Sequence, residues 1–115
     1  MADKVTHFEV VGKDGPALQR YYHDLFGWNF DTNNPTGYGF VSREESGIAV
    51  GVGATQDGSA GHVTGYVTVP DINAALAKAE SLGGRTIMPR FSPAPNTWLA
   101  LVADPEGHVL GLNEA

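Results

Sequence analysis

Two side chains of opposite acid–base character stand two residues apart near the start of the chain, at His7 and Glu9. The run Val5–Val11 is rich in β-branched and apolar residues and is bounded by polar and glycine-rich segments, which is typical of a strand. Alternation along that strand places His7 and Glu9 on one face and Phe8 and Val10 on the other. An imidazole beside a carboxylate suits acid–base chemistry, so we predict that His7 and Glu9 are the catalytic residues.

The competing interpretation of this pair is structural. His7 then only hydrogen-bonds a neighbour, and Glu9 is a solvated carboxylate on the strand. Desolvation would raise the pKa of Glu9, and a protonated His7 would oppose that rise. Both interpretations depend on which elements position the two side chains.

A helix is predicted directly after this first strand. Asp14 is suited to the N-cap, Pro16 is tolerated in the first turn, and Gly27 stands where a C-terminal cap belongs. Apolar residues recur at helical spacing between Leu18 and Phe26. We expect the first half to continue with strands at 28–31, 38–42 and 48–52, separated by turns at 33–37 and 43–47.

The second half of the chain repeats this order. We expect a strand at 63–69, a helix with Asp71 as N-cap, strands at 85–88, 98–103 and 109–112, and a proline-containing loop at 90–96. An offset of 57 residues carries Asp14 onto Asp71 and Gly27 onto Gly84. Each half therefore has the order βαβββ, with one helix covering one face of a small sheet.

This repeat predicts a single α+β domain of two tandem βαβββ modules. Module one spans 5–54, module two spans 62–115, and the polar segment 55–61 is the linker. The faces that the helices leave uncovered are expected to enclose a cavity.

Several residues are candidates for lining that cavity. The offset of 57 carries His7 onto Thr64 and Glu9 onto Tyr66, and His62 lies on the same strand face as Thr64. The aromatic candidates have core packing as their alternative role. The predicted ligand-binding residues are Tyr38, Phe40, His62, Thr64, Tyr66 and Trp98.

Composition excludes several classes of protein. The chain has 115 residues, 42% of them hydrophobic, which is enough for one packed core. A net charge of −6 disfavours a nucleic-acid partner, and the absence of cysteine rules out disulfides and thiolate metal sites. No signal-like segment and no apolar run of about 18 residues is present, so we expect a cytoplasmic protein with no membrane partner.

Three segments resemble the vicinal-oxygen-chelate superfamily: HFEVVGKDGPALQRYYHDLFGW, YVTVPDINAALAKAESLGG and ADPEGHVLGL. That superfamily includes glyoxalase I, extradiol dioxygenases, fosfomycin-resistance enzymes and bleomycin-resistance proteins. The resemblance covers nearly the whole chain. It implies paired βαβββ modules that form a U-shaped open β-barrel around a ligand, often in a homodimer.

The resemblance also implies positions for a divalent metal, with two ligands from each module. His7 matches the first-strand position, but its counterpart is Thr64, and the last-strand position falls on Gly111. The strand at 48–52 has no His, Asp or Glu. We therefore expect no native metal; the alternative is a divalent metal at an altered site of His7, Glu9 and His62.

Two functions remain open at this level. The first is a metal-free protein that binds an apolar or aromatic small molecule between the two modules, as drug-sequestering relatives do. The second is a divergent lyase, isomerase or dioxygenase that uses His7 and Glu9 for acid–base or metal-assisted chemistry, with Tyr66 as a donor to a substrate oxygen. A homodimer is expected in either case, because the sheets leave edges and apolar surface to cover.

Overall fold

Ten secondary-structure elements follow one another in the computed structural model, which describes residues 2–114. They make up an α+β fold, which confirms the predicted fold class. In chain order the elements are β1 (Lys4–Gly12), α1 (Gly15–Phe26), β2 (Gly39–Val41), α2 (Arg43–Ser46), β3 (Ala49–Ala54), β4 (His62–Val69), α3 (Ile72–Ser81), β5 (Arg85–Ala94), β6 (Thr97–Ala103) and β7 (Val109–Glu114).

Contacts divide the chain into two compact units. The N-terminal unit is His7–Val63. The C-terminal unit begins at Thr64 and also takes the residues up to Thr6. Both β1 and β4 are shared, so His62, at the start of β4, belongs to the N-terminal unit together with His7 and Glu9.

Helix α1 begins and ends where its capping residues predict. Asp14 has extended backbone angles, and its Oδ1 accepts a hydrogen bond from the Ala17 N–H over 3.0 Å. At the other end Gly27 adopts φ 79°, a left-handed conformation that glycine tolerates best, and its N–H donates to the His23 carbonyl. The sequence prediction of this helix is confirmed.

The sheet of the N-terminal unit has the order β2–β3–β1. Strand β3 runs parallel to β1 and antiparallel to β2, and Gly51 of β3 is the partner of both Glu9 and Phe40. Val10, Val50 and Val52 are buried in the core of this unit. Side chains alternate along β1, so His7 and Glu9 point to the face opposite Val10.

Two segments of the N-terminal unit differ from the sequence prediction. The strand expected at 28–31 is reduced to a single bridge between Asp31 and Phe40, because Trp28 and Phe30 pack against the core instead of extending a ladder. The turn expected at 43–47 contains the four-residue helix α2, whose last residue, Ser46, bonds the Ser42 carbonyl through its side chain.

The C-terminal unit has the predicted βαβββ order. Its sheet runs β4–β7–β6–β5, with β4 parallel to β7 and the other pairs antiparallel. Asp71 caps α3 by accepting from the Ala74 N–H over 3.1 Å. Helix α3 then buries Ile72 and Leu76 against Ala100 and other small and aliphatic residues of the sheet.

One prediction in the C-terminal unit is wrong. The loop expected at 90–96 is mostly strand, because β5 continues through Ala94 and pairs with β6. Shifts in register along this pair take up the irregularity that the prolines impose. Strand β5 lies last in the sheet order, where Pro89 and Pro93 are tolerated because an edge position needs fewer N–H donors.

Candidate functional site

Glu9 lies opposite a part of the neighbouring strand where glycines leave a gap between side chains. Its partner on β3 is Gly51, and Gly53 follows on the same face. The ring of Tyr38 fills this gap: a Cβ on Gly51 would collide with its hydroxyl end, and a Cβ on Gly53 would meet another edge of the ring. Because Gly51 and Gly53 have no side chains, the ring of Tyr38 can lie across β3 and bring its hydroxyl to Glu9 on β1.

Four side chains of the N-terminal unit join in one hydrogen-bonded group, which we call the polar cluster: His7, Glu9, Tyr38 and His62. The Tyr38 hydroxyl donates to Glu9 Oε2 over 2.7 Å. His62 Nε2 lies 2.8 Å from Glu9 Oε1. His7 Nε2 lies 3.3 Å from the Tyr38 hydroxyl oxygen. The carboxylate is thus held at both of its oxygens.

Donor and acceptor chemistry fixes the tautomers in this cluster when Glu9 is ionised. A carboxylate only accepts, so the Nε2 of His62 carries a proton and donates it to Glu9. Tyr38 has one proton, which it gives to Glu9, so its oxygen accepts from the Nε2–H of His7. In its neutral form each imidazole then keeps its lone pair on Nδ1.

Burial differs among the members of the polar cluster. The Glu9 side chain is 12% exposed, whereas that of His62 is 35% exposed. Burial lowers the pKa of His7, and the Glu9 carboxylate opposes this by favouring the imidazolium. The Glu9 side chain is therefore largely shielded from solvent by its neighbours, while part of the His62 side chain remains exposed.

Phe40 provides apolar surface beside the polar cluster. Its ring packs edge-on against Tyr38, with centroids 4.7 Å apart and an interplanar angle of 65°. Half of Phe40 remains exposed. The N-terminal unit thus combines an accessible imidazole with an accessible aromatic face.

The other predicted ligand-binding residues lie in the C-terminal unit. Tyr66 is buried, and its ring lies across its strand partner Gly111. Thr64 is also buried, and its hydroxyl donates to the Val109 carbonyl over 2.8 Å. Trp98 is covered on one face by the guanidinium of Arg90, 3.8 Å from the ring centroid. Within this unit Thr64 is engaged in holding β4 to β7.

Arg90, which covers Trp98, also holds elements of the C-terminal unit together. In the structure its guanidinium makes two hydrogen bonds to Glu114, of 2.8 and 3.1 Å, and Glu114 Oε2 also accepts from the Ile72 N–H. This arrangement ties β5, β7 and the start of α3 together. The Arg90 side chain therefore has a structural partner within its own unit.

Comparison with known proteins identifies the family. Residues 9–113 match the family described as "Glyoxalase-like domain". The chain belongs to this family. A relative in Mycobacterium tuberculosis, named "Putative glyoxylase CFP32", is 29% identical over an alignment of length 109 that covers 89% of this chain and 42% of that protein. This glyoxalase-like chain therefore spans less than half the length of that relative.

Solved structures share the glyoxalase-like fold at low sequence identity. Methylmalonyl-CoA epimerase from M. tuberculosis has a TM-score of 0.68 and 16% identity, with 96% of this chain and 86% of that chain covered. A glyoxalase/bleomycin resistance protein/dioxygenase superfamily member from Vibrio splendidus has a TM-score of 0.66 and 16% identity, with 99% and 100% covered. These likenesses confirm the fold that the sequence resemblance implies.

The divalent-metal site implied by the superfamily does not fit the residues of this glyoxalase-like chain. Gly111 provides no ligand atom, and the Tyr66 ring takes the space beside it. The Thr64 hydroxyl already donates a hydrogen bond to the Val109 carbonyl. Across residues 2–114, no group of three or more His, Asp or Glu side chains is placed to hold a metal ion.

Sequence reasoning assigned two roles in the polar cluster differently from the observed geometry. It grouped His7 with Glu9 by their spacing and took Tyr38 as a wall residue, whereas Tyr38 is the link between them and His62 bonds Glu9 directly. The sequence signal that could have revealed the role of Tyr38 was the pair of glycines at alternate positions opposite Glu9. Glycine within a strand often marks a place where another group approaches the backbone closely.

No helix in the described residues has the length and apolar character needed to cross a membrane.

Proposed function

We propose that this glyoxalase-like chain binds an apolar or aromatic small molecule at the polar cluster, without a resident divalent metal. The observation that carries the proposal is the position of His62. Its Nε2 bonds the Glu9 carboxylate, whose side chain is only 12% exposed, while the His62 side chain is 35% exposed and the half-exposed Phe40 packs against Tyr38 of the same cluster. An oriented polar atom beside apolar surface is the usual composition of a small-molecule site.

His62 and Phe40 have separate roles in this proposal. With Nε2 donating to Glu9, the Nδ1 lone pair of His62 accepts a hydrogen bond from a ligand N–H or O–H group. Phe40 contributes contact with an aromatic or aliphatic ring. Because Glu9 is held by Tyr38 on its other oxygen, the imidazole is oriented before the ligand arrives, which lowers the entropic cost of binding.

The donor chemistry of the chain supports binding without a metal. The positions that would complete the superfamily's ligand set are Thr64 and Gly111, and neither provides an available ligand atom. The relative named "Putative glyoxylase CFP32" supports a small organic molecule as the class of partner, because a glyoxylase acts on such a molecule.

Ligand binding is tested by titrating the protein with 5-nitroindole and following the quenching of tryptophan fluorescence. Loss of one oriented hydrogen bond should weaken binding by roughly tenfold in His62→Ala. Phe40→Ala should weaken it as well, through lost apolar contact. His108→Ala is the matched control, since His108 lies in an exposed turn bonded to Asp104. Equal affinity in all four proteins, or no binding by the wild type, contradicts the proposal.

We also propose that the protein is a cytoplasmic homodimer. In support, Tyr21, Leu25 and Phe26 on α1 are each more than half exposed, and a second copy would cover them. Light scattering at micromolar concentration should give twice the mass of the chain, and Leu25→Glu should lower it. Leu82→Glu, which places the same charge on the C-terminal unit, is the control. A single-chain mass for the wild type contradicts the homodimer.

A further inference from the structure

The His62–Glu9 pair has the geometry of a base held by a carboxylate. His62 Nε2 donates to Glu9 Oε1 over 2.8 Å, and the Tyr38 hydroxyl fixes the other carboxylate oxygen over 2.7 Å. A carboxylate in this position selects one imidazole tautomer, orients the ring and stabilises the imidazolium that forms when the ring takes up a proton. These are the features that separate a general base from a histidine that only packs.

The exposed fractions of the His62 and Glu9 side chains agree with His62 as the base and Glu9 as the group that holds it. Glu9, at 12%, is withdrawn from solvent, and its interaction with an imidazolium is strengthened by the lower local dielectric. His62, at 35%, keeps part of its side chain accessible to a bound molecule. In contrast, His7 bonds the Tyr38 hydroxyl, and burial opposes its protonation.

We propose that His62 is a general base that removes a proton from the bound small molecule, with Glu9 and Tyr38 as positioning residues. The substrate class is an aromatic or apolar molecule with a weakly acidic C–H bond. The C–H bond breaks, its proton forms a bond to His62 Nδ1, and its electron pair stays with the substrate. The imidazolium Nε2–H remains on Glu9, and the proton then leaves to water, so no oxidant, reductant or metal is consumed. This inference rests on the proposed binding at the polar cluster and adds a reaction to it.

The probe for this reaction is 5-nitrobenzisoxazole, a flat aromatic molecule with one acidic C–H bond. When a base takes that proton, the C–H electron pair completes a nitrile and the N–O bond breaks. The product, 2-cyano-4-nitrophenolate, is yellow and is followed by its absorbance. All atoms of the probe remain in this product and the released proton, so the rate reports proton removal alone.

His62→Gln is the decisive variant. Glutamine keeps an N–H group for Glu9 and a polar oxygen for the ligand, but it has no basic nitrogen. We expect elimination to fall by roughly 100-fold, in line with the usual effect of a general base. His108→Gln removes an exposed histidine that bonds Asp104 and should keep the wild-type rate.

Glu9→Gln tests the positioning role. An amide does not stabilise the imidazolium, so kcat should fall and the inflexion of the pH–rate profile should move to lower pH, with KM little changed. Tyr38→Phe should lower kcat less, because the His62–Glu9 bond persists. A Glu9→Gln profile with the wild-type inflexion overturns the role of Glu9.

Binding of 5-nitroindole, which cannot undergo the elimination, separates failure of this inference from failure of the proposed function. If 5-nitroindole binds but elimination is absent, or is unchanged in His62→Gln, the general base is overturned and binding stands. If 5-nitroindole does not bind and elimination is absent, the proposed binding function and the general base are both overturned. Circular dichroism of each variant confirms that the comparison is made between folded proteins.

Discussion

The Tyr38 hydroxyl reaches Glu9 Oε2 at 2.7 Å by lying across a strand that has glycine at both positions beneath the ring. A tyrosine ring also lies over a glycine in the C-terminal unit, where Tyr66 covers Gly111 of β7. In both units a phenol ring occupies the space that a side chain at that glycine would need.

Tyr38→Phe is expected to destabilise the N-terminal unit. The change removes the donor to Glu9 and the acceptor for His7, and leaves two partly buried polar groups each with one partner fewer. The free energy of unfolding should fall by about 1–3 kcal/mol. Urea denaturation measures it, with Tyr21→Phe on the exposed face of α1 as control. Equal losses in the two variants would show that the Tyr38 hydroxyl has no special role.

Gly51→Ala is expected to displace the ring of Tyr38. The added methyl group collides with the hydroxyl end of that ring, and such overpacking costs about 1–3 kcal/mol. Tyr38→Ala removes the obstacle, so in that background Gly51→Ala should cost far less. The coupling free energy from the four proteins is the measurement. Strictly additive effects would contradict the close approach of the two residues.

Stability should depend on the protonation of His7. Burial lowers the pKa of His7 in the folded protein, so the unfolded chain binds more protons as the pH falls through about 6.5. The free energy of unfolding therefore decreases below that pH and levels off below the folded pKa. Glu9 and Tyr38 are ionisable groups that interact with His7 in this unit.

Urea titrations between pH 5 and 8 test this dependence. His7→Gln cannot take up the proton, so the slope of its unfolding free energy against pH should be smaller than that of the wild type. Identical slopes in the two proteins would mean that the His7 pKa is the same in the folded and unfolded chain.

Arg90→Met should weaken the C-terminal unit in a pH-dependent way. Hydrogen bonds from Arg90 and then from the Ile72 N–H lower the pKa of Glu114. A carboxyl with a lowered folded pKa stabilises the protein above its unfolded pKa, and this contribution disappears as the pH falls through the folded value. The gap in stability between wild type and Arg90→Met should therefore narrow in acid. Arg85→Met is the control, and a gap that widens in acid would contradict the assignment.

Local rules predicted the parts of the fold that local interactions determine. Asp14, Gly27 and Asp71 cap helices as expected, since a cap is decided by residues within one turn. The prediction of a loop at 90–96 was wrong. Its prolines were taken as residues that interrupt a strand, whereas pairing with β6 gives this segment an extended conformation. That pairing is a tertiary interaction, which sequence periodicity does not report.

The four members of the polar cluster were among the residues named from the sequence, but their hydrogen bonds to one another were not predictable. Alternation placed His7 and Glu9 on one face, and the repeat directed attention to the strand that carries His62. The bonds from Tyr38 and His62 to Glu9 span 29 and 53 residues of sequence. Their partners depend on strand register and on glycine clearance beneath a ring, which only the folded chain determines.

The most direct test of the central claim is the affinity for 5-nitroindole before and after exhaustive chelation, with metal content measured on the same samples. The claim is that the polar cluster, rather than a bound metal, anchors the ligand. The predicted result is unchanged affinity in chelator-treated protein that contains far less than one metal ion per chain. Affinity that is lost on chelation and restored by zinc or nickel would contradict the account.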